Sequence, residues 1–153
     1  MREPISDFRR THIGRALARS YELFQEQFER DIRARGFEDF RRSDVQVVSR
    51  LPVSVGARVS DLAQRAGITK QAMGKLVRSL EERGYLVCGV DPLDGRALRV
   101  ELSPRGVELL RASTEVIASI EMRWAEVLGQ AKLARVRQAL LEVSDALGPP
   151  DYL

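Results

Sequence analysis

The fold is decided by residues 59–102, which read VSDLAQRAGITKQAMGKLVRSLEERGYLVCGVDPLDGRALRVEL. This stretch contains two amphipathic segments separated by Gly67, and then two strand-like segments around a loop rich in turn-forming residues. Ser60 and Thr69 are expected to cap the two helices by accepting hydrogen bonds from backbone N–H groups, and Gly67 to end the first helix in the left-handed conformation. The order helix, tight turn, helix and hairpin predicts a winged helix-turn-helix.

The second of these helices is predicted from about Lys70 to Arg83 and has two different faces. The apolar side chains recur at helical spacing and should face the core; they are Ala72, Met73, Leu76, Val77 and Leu80. The opposite face consists of Gln71, Gly74, Lys75 and Arg78. Gln suits adenine edges, whereas Lys and Arg suit guanine edges or phosphates. Gly74 costs about 1 kcal/mol of helix stability relative to Ala, which suggests that a partner approaches that face closely; an incidental glycine on a solvated surface is the alternative.

The hairpin is predicted to have an outgoing strand from Tyr85, a turn at residues 91–96 and a returning strand at about residues 97–102. The turn sequence DPLDGR places Arg96 at or beside the tip. Behind a recognition helix, an arginine at this place is expected to enter a DNA minor groove, although a solvated side chain is the ordinary alternative. Asp94 is expected to hold Arg96 by a charged hydrogen bond or to orient other arginines of the hairpin.

Charge is concentrated in the same region. The chain has 153 residues and a formal net charge of +3, which is too small to indicate nucleic-acid binding by itself. Residues 58–100 contain eight Lys/Arg and five Asp/Glu, so this segment holds the whole excess and the remainder sums to zero. The chain has no 18-residue apolar run, and its N-terminal sequence MREPISDFRR is charged, so we expect a soluble cytoplasmic protein with no membrane partner.

Long helices flank the predicted winged region. The first is expected over about residues 6–34, with an apolar stripe that recurs every three or four positions, and a second helix should run from Ser43 to Pro52, followed by a loop, PVSVGAR. After the hairpin, Ser103 and Pro104 should start a helix that ends near Gly129. The last helix carries a coiled-coil-like stripe made of Leu133, Val136, Leu140, Val143 and Leu147. Such stripes are often monomer core, but a small winged domain cannot cover all of these helices, so pairing with a second copy is predicted.

The segment DLAQRAGITKQAMGKLVRSLEERGYL, followed by DPLDGRALRVELSPRG, resembles the DNA-binding core of the MarR family of bacterial transcriptional regulators, including an Asp-x-Arg signature at Asp94–Arg96. Two positions differ from the commonest family pattern: Gly74 replaces a small hydroxyl residue, and Gly89 replaces a frequent arginine. The resemblance implies a mainly α fold with a small β-hairpin wing (α+β). It further implies one MarR-like domain over residues 1–153, with a winged helix-turn-helix at 43–102 and dimerisation helices at 1–36 and 104–148.

What the resemblance implies about function is a homodimer that binds a pseudo-palindromic double-stranded DNA operator, most often as a repressor released by a small aromatic ligand. The DNA-binding residues are then expected to be Ser60, Thr69, Lys70, Gln71, Gly74, Lys75, Arg78, Asp94, Arg96 and Arg99. The candidate effector-binding residues are Tyr21, Phe24, Phe40 and Trp124, for each of which core packing is the alternative. Two other functions use the same fold: a ligand-responsive activator, and a winged-helix module that binds protein without DNA.

Other chemistry finds little support in the sequence. With one His and one Cys, the chain has no Cys/His zinc cluster and no internal disulfide. His12 is expected at the surface near a dimer interface, and Cys88 is expected to be an unreactive thiol on the wing strand. Phosphate-binding loops, paired catalytic carboxylates and nucleophile–base motifs are absent from the sequence. We therefore predict a non-enzymatic protein without catalytic residues, a metal or a cofactor.

Overall fold

The computed structural model describes residues 11–148 and shows a mainly helical chain with a small antiparallel sheet. The helices are α1 (Ile13–Arg33), α2 (Val45–Val48), α3 (Val59–Ala66), α4 (Lys70–Glu82), α5 (Pro104–Leu128) and α6 (Gln130–Leu147), with a short 3₁₀ helix at Arg42–Asp44 before α2. The strands are β1 (Ala57–Arg58), β2 (Leu86–Asp91) and β3 (Asp94–Leu102), arranged in the order β1-β3-β2. Within the described residues, no helix is long and apolar enough to cross a membrane.

The helix-turn-helix forms as its sequence predicts, with one correction. Gly67 ends α3 at a φ of 64°, and the Thr69 hydroxyl accepts a hydrogen bond from the backbone N–H of Ala72 at 3.1 Å. Ser60 does not cap α3. The helix begins at Val59, with Arg58 as its N-cap, so it starts two residues earlier than a Ser60 cap would place it. The Ser60 hydroxyl donates to the Asp61 carboxylate at 3.2 Å. The predicted cap is wrong because β1 ends at Arg58 and so sets the first helical residue.

The wing contains a strand that the sequence analysis assigned to a loop. Ala57 and Arg58 pair with Val100 and Arg99 of β3, on the side of β3 opposite to β2. Gly56 makes this pairing possible, because its φ is 63° and a Cβ there would collide with the carbonyl oxygen of Val100. The hairpin turn is also tighter than predicted, since β3 already begins at Asp94.

The flanking helices agree with the predicted order but differ in extent. The part of the first predicted helix before residue 11 lies outside the described residues, and the described helix starts at Ile13, where the His12 side chain accepts a hydrogen bond from the backbone N–H of Arg15 at 3.1 Å. The second predicted helix is short, because only Val45–Val48 is α-helical after the 3₁₀ turn. Ser103 caps α5 with Pro104 in its first turn, and Gly129 separates α5 from α6.

One hydrophobic core joins the winged region to the adjoining parts of the long helices. It contains the end of α1, the buried faces of α3 and α4, the base of the wing and the first two-thirds of α5. The side chains with the least exposure include Ile32, Leu62, Met73, Leu80, Tyr85, Val100, Leu109 and Ile120. None of the residues of α6 is buried within the chain. The core therefore fixes the winged region to α1 and α5 but leaves α6 uncovered.

Candidate nucleic-acid interface

Helix α4 presents the polar face that the sequence predicted. Met73, Val77 and Leu80 are buried, so the opposite side of the helix must face outward. Gln71, Lys75 and Arg78 are exposed on that side. An exposed helix face with an amide and two cations can donate to base edges and to phosphates at the same time.

A groove of about 540 Å³ lies between α4 and the wing. Five of the predicted DNA-binding residues line it; they are Ser60, Lys70, Gln71, Gly74 and Arg78. Ala97 and Leu98 of β3 close its opposite side. The structure thus brings the N-terminus of α3, the outward face of α4 and the wing to one surface.

Gly74 leaves the middle of this groove open. A Cβ added at Gly74 would have no heavy atom within 4 Å outside its own helix backbone. The Arg78 side chain folds back over the same turn, where its Nε donates to the carbonyl oxygen of Gly74 at 3.3 Å. The glycine is consequently not required by packing within the chain, and the open space is available to a partner.

The groove contains one cation that the sequence analysis did not select. Arg58 belongs to β1 and lines the groove beside Lys70 and Arg78. Sequence reasoning missed it because residues 52–58 were assigned to a loop. The available signal was its position directly before the helix-turn-helix, where a basic side chain lies close to the N-terminal ends of both helices.

Arg58 is held by two carboxylates of the wing. Its Nε donates to Asp91 Oδ2 at 2.6 Å, and one of its two terminal nitrogens lies 4.0 Å from Asp94 Oδ2. Asp91 is 2% exposed and also accepts from the backbone N–H of Leu93 at 2.7 Å. The hydrogen bond from Arg58, followed by that from Leu93, holds the pKa of Asp91 below its ordinary value. The hydrogen bond to Asp91 in turn raises the pKa of Arg58. The wing is therefore fastened to β1 by an ion pair.

Arg99 and Asp94 contribute to the same fastening. The Arg99 guanidinium donates to the carbonyl oxygen of Val55 and to Glu101 at 3.3 Å, and it lies 3.8 Å from Asp91. Asp94 faces Arg58, whereas the predicted Asp94–Arg96 contact cannot be followed, because the Arg96 side chain lies outside the described part of the chain. Arg99 thus holds the 52–56 loop against the wing and does not itself line the groove.

Thr69, the N-cap of α4, and Lys75, within α4, are also DNA-binding candidates; both are exposed but do not line the groove. The hydroxyl of Thr69 is occupied by the helix cap.

Cys88 lies half-buried on β2, and burial raises the pKa of its thiol to about 11. A thiol with that pKa is protonated near neutral pH and is a poor nucleophile.

The four candidate effector residues do not form one cluster. Phe24 and Trp124 touch edge to face, with ring centroids 6.2 Å apart between α1 and α5. Tyr21 is 60% exposed on α1. Phe40 is only 4% exposed and packs against Phe28 and Tyr85 in the core, at centroid distances of 6.4 Å and 6.1 Å.

Comparison with known proteins agrees with this geometry. Residues 41–97 match a model of the MarR family. Over 73 residues the chain is 32% identical to the HTH-type transcriptional repressor Rv2887 of Mycobacterium tuberculosis, an alignment that covers 48% of this chain and 52% of the relative. The match therefore spans about half the length of that curated relative.

Solved structures extend the likeness to nearly the whole chain. The transcriptional repressor CouR, bound to a 23-mer DNA duplex, has a TM-score of 0.74 at 22% identity, covering 97% of this chain and 100% of that one. The PcaV transcriptional regulator of Streptomyces coelicolor, in complex with its natural ligand, has a TM-score of 0.68 at 22% identity, covering 89% and 94%. At this identity the likeness establishes a shared fold.

Proposed function

We propose that this chain, whose residues 41–97 match a model of the MarR family, is a sequence-specific DNA-binding transcriptional regulator and acts as a homodimeric repressor. The observation that carries the proposal is the groove between α4 and the wing, where Arg58, Lys70 and Arg78 surround Gln71 and the open position of Gly74. Cations at the rim suit phosphates, and an amide beside a bare stretch of helix suits a base edge. The likeness to the HTH-type transcriptional repressor Rv2887 supports the repressor role.

The shape of the groove suggests how α4 and the wing would contact DNA. Helix α4 would lie in the major groove with Gln71 against base edges, and the wing would follow the neighbouring phosphates towards the minor groove. The ion pair between Arg58 and Asp91 would fix the distance between these two contacts, since it ties β1 to the end of β2. Arg96, at the wing, is proposed to enter the minor groove, and Thr69 and Lys75 to contact phosphates.

A second copy of the chain would complete the molecule. Exposed apolar side chains recur along two of the long helices: Ile13, Leu17 and Tyr21 on α1, and Val136, Leu140, Val143 and Leu147 on α6. A soluble monomer seldom exposes a continuous apolar stripe of this length, whereas helix pairing would remove it from water. Two copies related by a two-fold axis would present two α4 helices to a pseudo-palindromic operator, with half-sites about one helical turn apart.

The proposed release mechanism is a small aromatic ligand bound between α1 and α5. Support comes from the Phe24–Trp124 contact, from the exposed Tyr21 about one turn earlier on α1, and from the ligand complex of PcaV. Phe40 would act only indirectly, from the core. Because Trp124 is the sole tryptophan, titration with a hydroxybenzoate should change the fluorescence of the chain at the concentration that releases DNA. Fluorescence change without release would contradict an effector role.

The alternatives use the same surface. A ligand-responsive activator would bind DNA identically and differ only in its effect on transcription. A protein-binding module is disfavoured by the polar outward face of α4. In either regulator role the chain is proposed to be cytoplasmic and non-enzymatic.

The test is selection of DNA by the purified full chain from a pool of duplexes with 30 randomised base pairs. We expect a pseudo-palindrome to be enriched, with an affinity that falls steeply as salt rises, because each phosphate contact releases counterions. The selected duplex with its bases shuffled is the control. Equal binding of both duplexes would remove sequence specificity, and no binding at low salt would overturn the proposed function.

A further inference from the structure

A network of charged and polar side chains, in which Asp44 and Tyr85 are fully buried, connects the end of α4 to the α1–α2 connector and to α5, away from the groove. It consists of Asp39, Asp44, Arg83, Tyr85 and Arg105, and we call it the Arg83 network. None of these residues lines the groove between α4 and the wing. Its members come from the α1–α2 connector, the C-terminal end of α4, the start of the wing and the first turn of α5.

Arg83 uses every N–H of its guanidinium. Its Nε donates to the carbonyl oxygen of Ser79 at 2.8 Å, and its two terminal nitrogens donate to the two oxygens of the Asp44 carboxylate at 2.7 Å and 2.9 Å. The remaining hydrogens reach the Asp39 carbonyl oxygen at 2.7 Å and the Ser79 hydroxyl at 3.3 Å. The side chains of Arg83 and Asp44 are 13% and 1% exposed. A fork-to-carboxylate pair of this kind is directional, so it fixes orientation as well as distance.

Asp44 is itself held in place. Its Oδ2 also accepts the backbone N–H of Arg41 at 2.8 Å, which closes the 3₁₀ turn after α1. The carboxylate thus connects Arg83, the residue that follows α4, directly to the connector that leads from α1. Burial of both partners makes the loss of either one costly, because the other charge would remain without its counterion.

The second half of the network joins the same point to α5. Arg105 donates to the carbonyl oxygen of Arg83 at 2.7 Å and to Asp39 Oδ1 at 2.9 Å, and its guanidinium lies 4.4 Å from the centre of the Tyr85 ring. The Tyr85 hydroxyl donates to Asp39 Oδ1 at 2.5 Å. Gly106 brings α5 against the Tyr85 carbonyl so closely that a Cβ would collide with it. Three elements therefore meet at one rigid point at the base of α4.

We propose that Arg83 and Asp44 are positioning residues for DNA recognition, because they hold α4 at a fixed angle to α1 and α5 and thereby set the separation of the two reading helices. The effect on DNA binding rests on the proposed function. The angle of α4 to α1 and α5 does not, because it is a property of a single chain. The network lies at the C-terminal end of α4, three turns from the contact residues Lys70 and Gln71. A small rotation at this end displaces the contact residues, whereas the local fold of α4 depends on Met73, Val77 and Leu80 and remains.

The first experiment measures the angle without DNA. Spin labels are placed at Ser20→Cys on α1 and Lys75→Cys on α4, both exposed positions, in a Cys88→Ser background, and the labelled chain is diluted into unlabelled chain. We expect one narrow distance distribution for the otherwise unchanged chain and a distribution at least twice as broad in Arg83→Met and Asp44→Asn. If Arg83→Met does not fold, Arg83→Lys keeps the charge and loses the fork. An unchanged width in the folded variants would overturn the inference.

The second experiment measures the consequence for DNA, using the duplex selected from the random pool and versions with one or two base pairs inserted between its half-sites. The unchanged chain should prefer the selected spacing by at least 10-fold. In Asp44→Asn this preference should fall several-fold, while affinity for an isolated half-site changes less than 3-fold. Loss of half-site and full-site binding in parallel would indicate a purely structural role and overturn the positioning role.

Arg42→Met is the matched control. Arg42 lies in the same connector, and its ion pair, at 2.7 Å, is with Glu29 of α1 and not with a residue of α4. Its removal should leave both the distance distribution and the spacing preference unchanged. Failure to select any duplex would overturn the proposed function alone, because the label distances would still report the angle.

Discussion

The Nε of Arg58, in the two-residue strand β1, donates to the buried carboxylate of Asp91 at the end of β2 over 2.6 Å. One cation of the groove thus also anchors the wing. Arg58 is therefore expected to affect both DNA affinity and the pH dependence of stability.

We expect Asp91 to stabilise the fold above about pH 4 and to lose that effect as the pH falls below it. Its pKa is lowered in the folded state, chiefly by Arg58, so the unfolded chain takes up the proton first on acidification. Urea midpoints measured between pH 6 and pH 3 should fall less steeply in Asp91→Asn than in the unchanged chain. Arg58→Met should flatten the profile in the same way, and the double variant should be no flatter than either. An unaltered slope in Asp91→Asn would contradict the role of the ion pair.

Gly74→Ala should separate stability from DNA binding. The added Cβ meets no heavy atom within 4 Å, so the free energy of unfolding should rise by about 1 kcal/mol through helix propensity alone. DNA affinity should fall, because the methyl group occupies the open middle of the groove. Gly67→Ala is the control: its φ of 64° makes the same substitution destabilising. Undiminished DNA affinity in Gly74→Ala would show that no partner approaches that turn.

Gln71→Ala and Lys75→Ala should have different signatures. Losing the amide should reduce the discrimination between bases at one position by about 1–3 kcal/mol. Losing the cation should weaken binding to all sequences alike and reduce the slope of log affinity against log salt concentration by about one. Competition assays with single-base variants of the selected duplex, repeated at several salt concentrations, measure both. Identical effects of the two substitutions would mean that α4 does not lie in the major groove as proposed.

Leu140→Glu should split the proposed dimer without unfolding the chain. Leu140 is 43% exposed in α6, so its replacement costs the single chain little, but a carboxylate in a helix-pairing stripe opposes association. Sedimentation equilibrium should show a lighter species with a retained helical circular dichroism signal. Gln138→Glu, which lies on the opposite side of α6, is the charge-matched control and should leave the mass unchanged. Equal masses for both variants would argue against pairing through this stripe.

Tyr85→Phe should remove an alkaline transition centred near pH 12. Burial, followed by the hydrogen bond to Asp39, raises the pKa of Tyr85 to about 12. Because the folded pKa exceeds the unfolded value near 10, the contribution to stability is complete below about pH 10 and is lost as the pH rises towards 12. Spectrophotometric titration of tyrosinate detects the transition. The variant should also be about 1–2 kcal/mol less stable at neutral pH, since Asp39 loses a donor.

Local patterns predicted the helix-turn-helix well because its signals act over a few residues. The Thr69 cap, the left-handed Gly67 and the two faces of α4 each depend on positions three or four residues apart. The predicted Ser60 cap was wrong for the opposite reason. Pairing of Arg58 with Arg99, far along the chain, ends β1 and starts the helix at Val59, so a distant contact outweighed a local preference.

The sequence by itself determined the winged helix-turn-helix, the polar stripe on α4 and the order of the flanking helices, because hydrophobic periodicity and capping are encoded by near neighbours. Only the tertiary structure decided that Arg58 joins the groove and that Arg83 closes on Asp44 at 2.7 Å. Those partners are separated by tens of residues. The fold determines which of the many opposite charges in the chain become buried against one another, and the order of charges in the sequence does not predict these pairs.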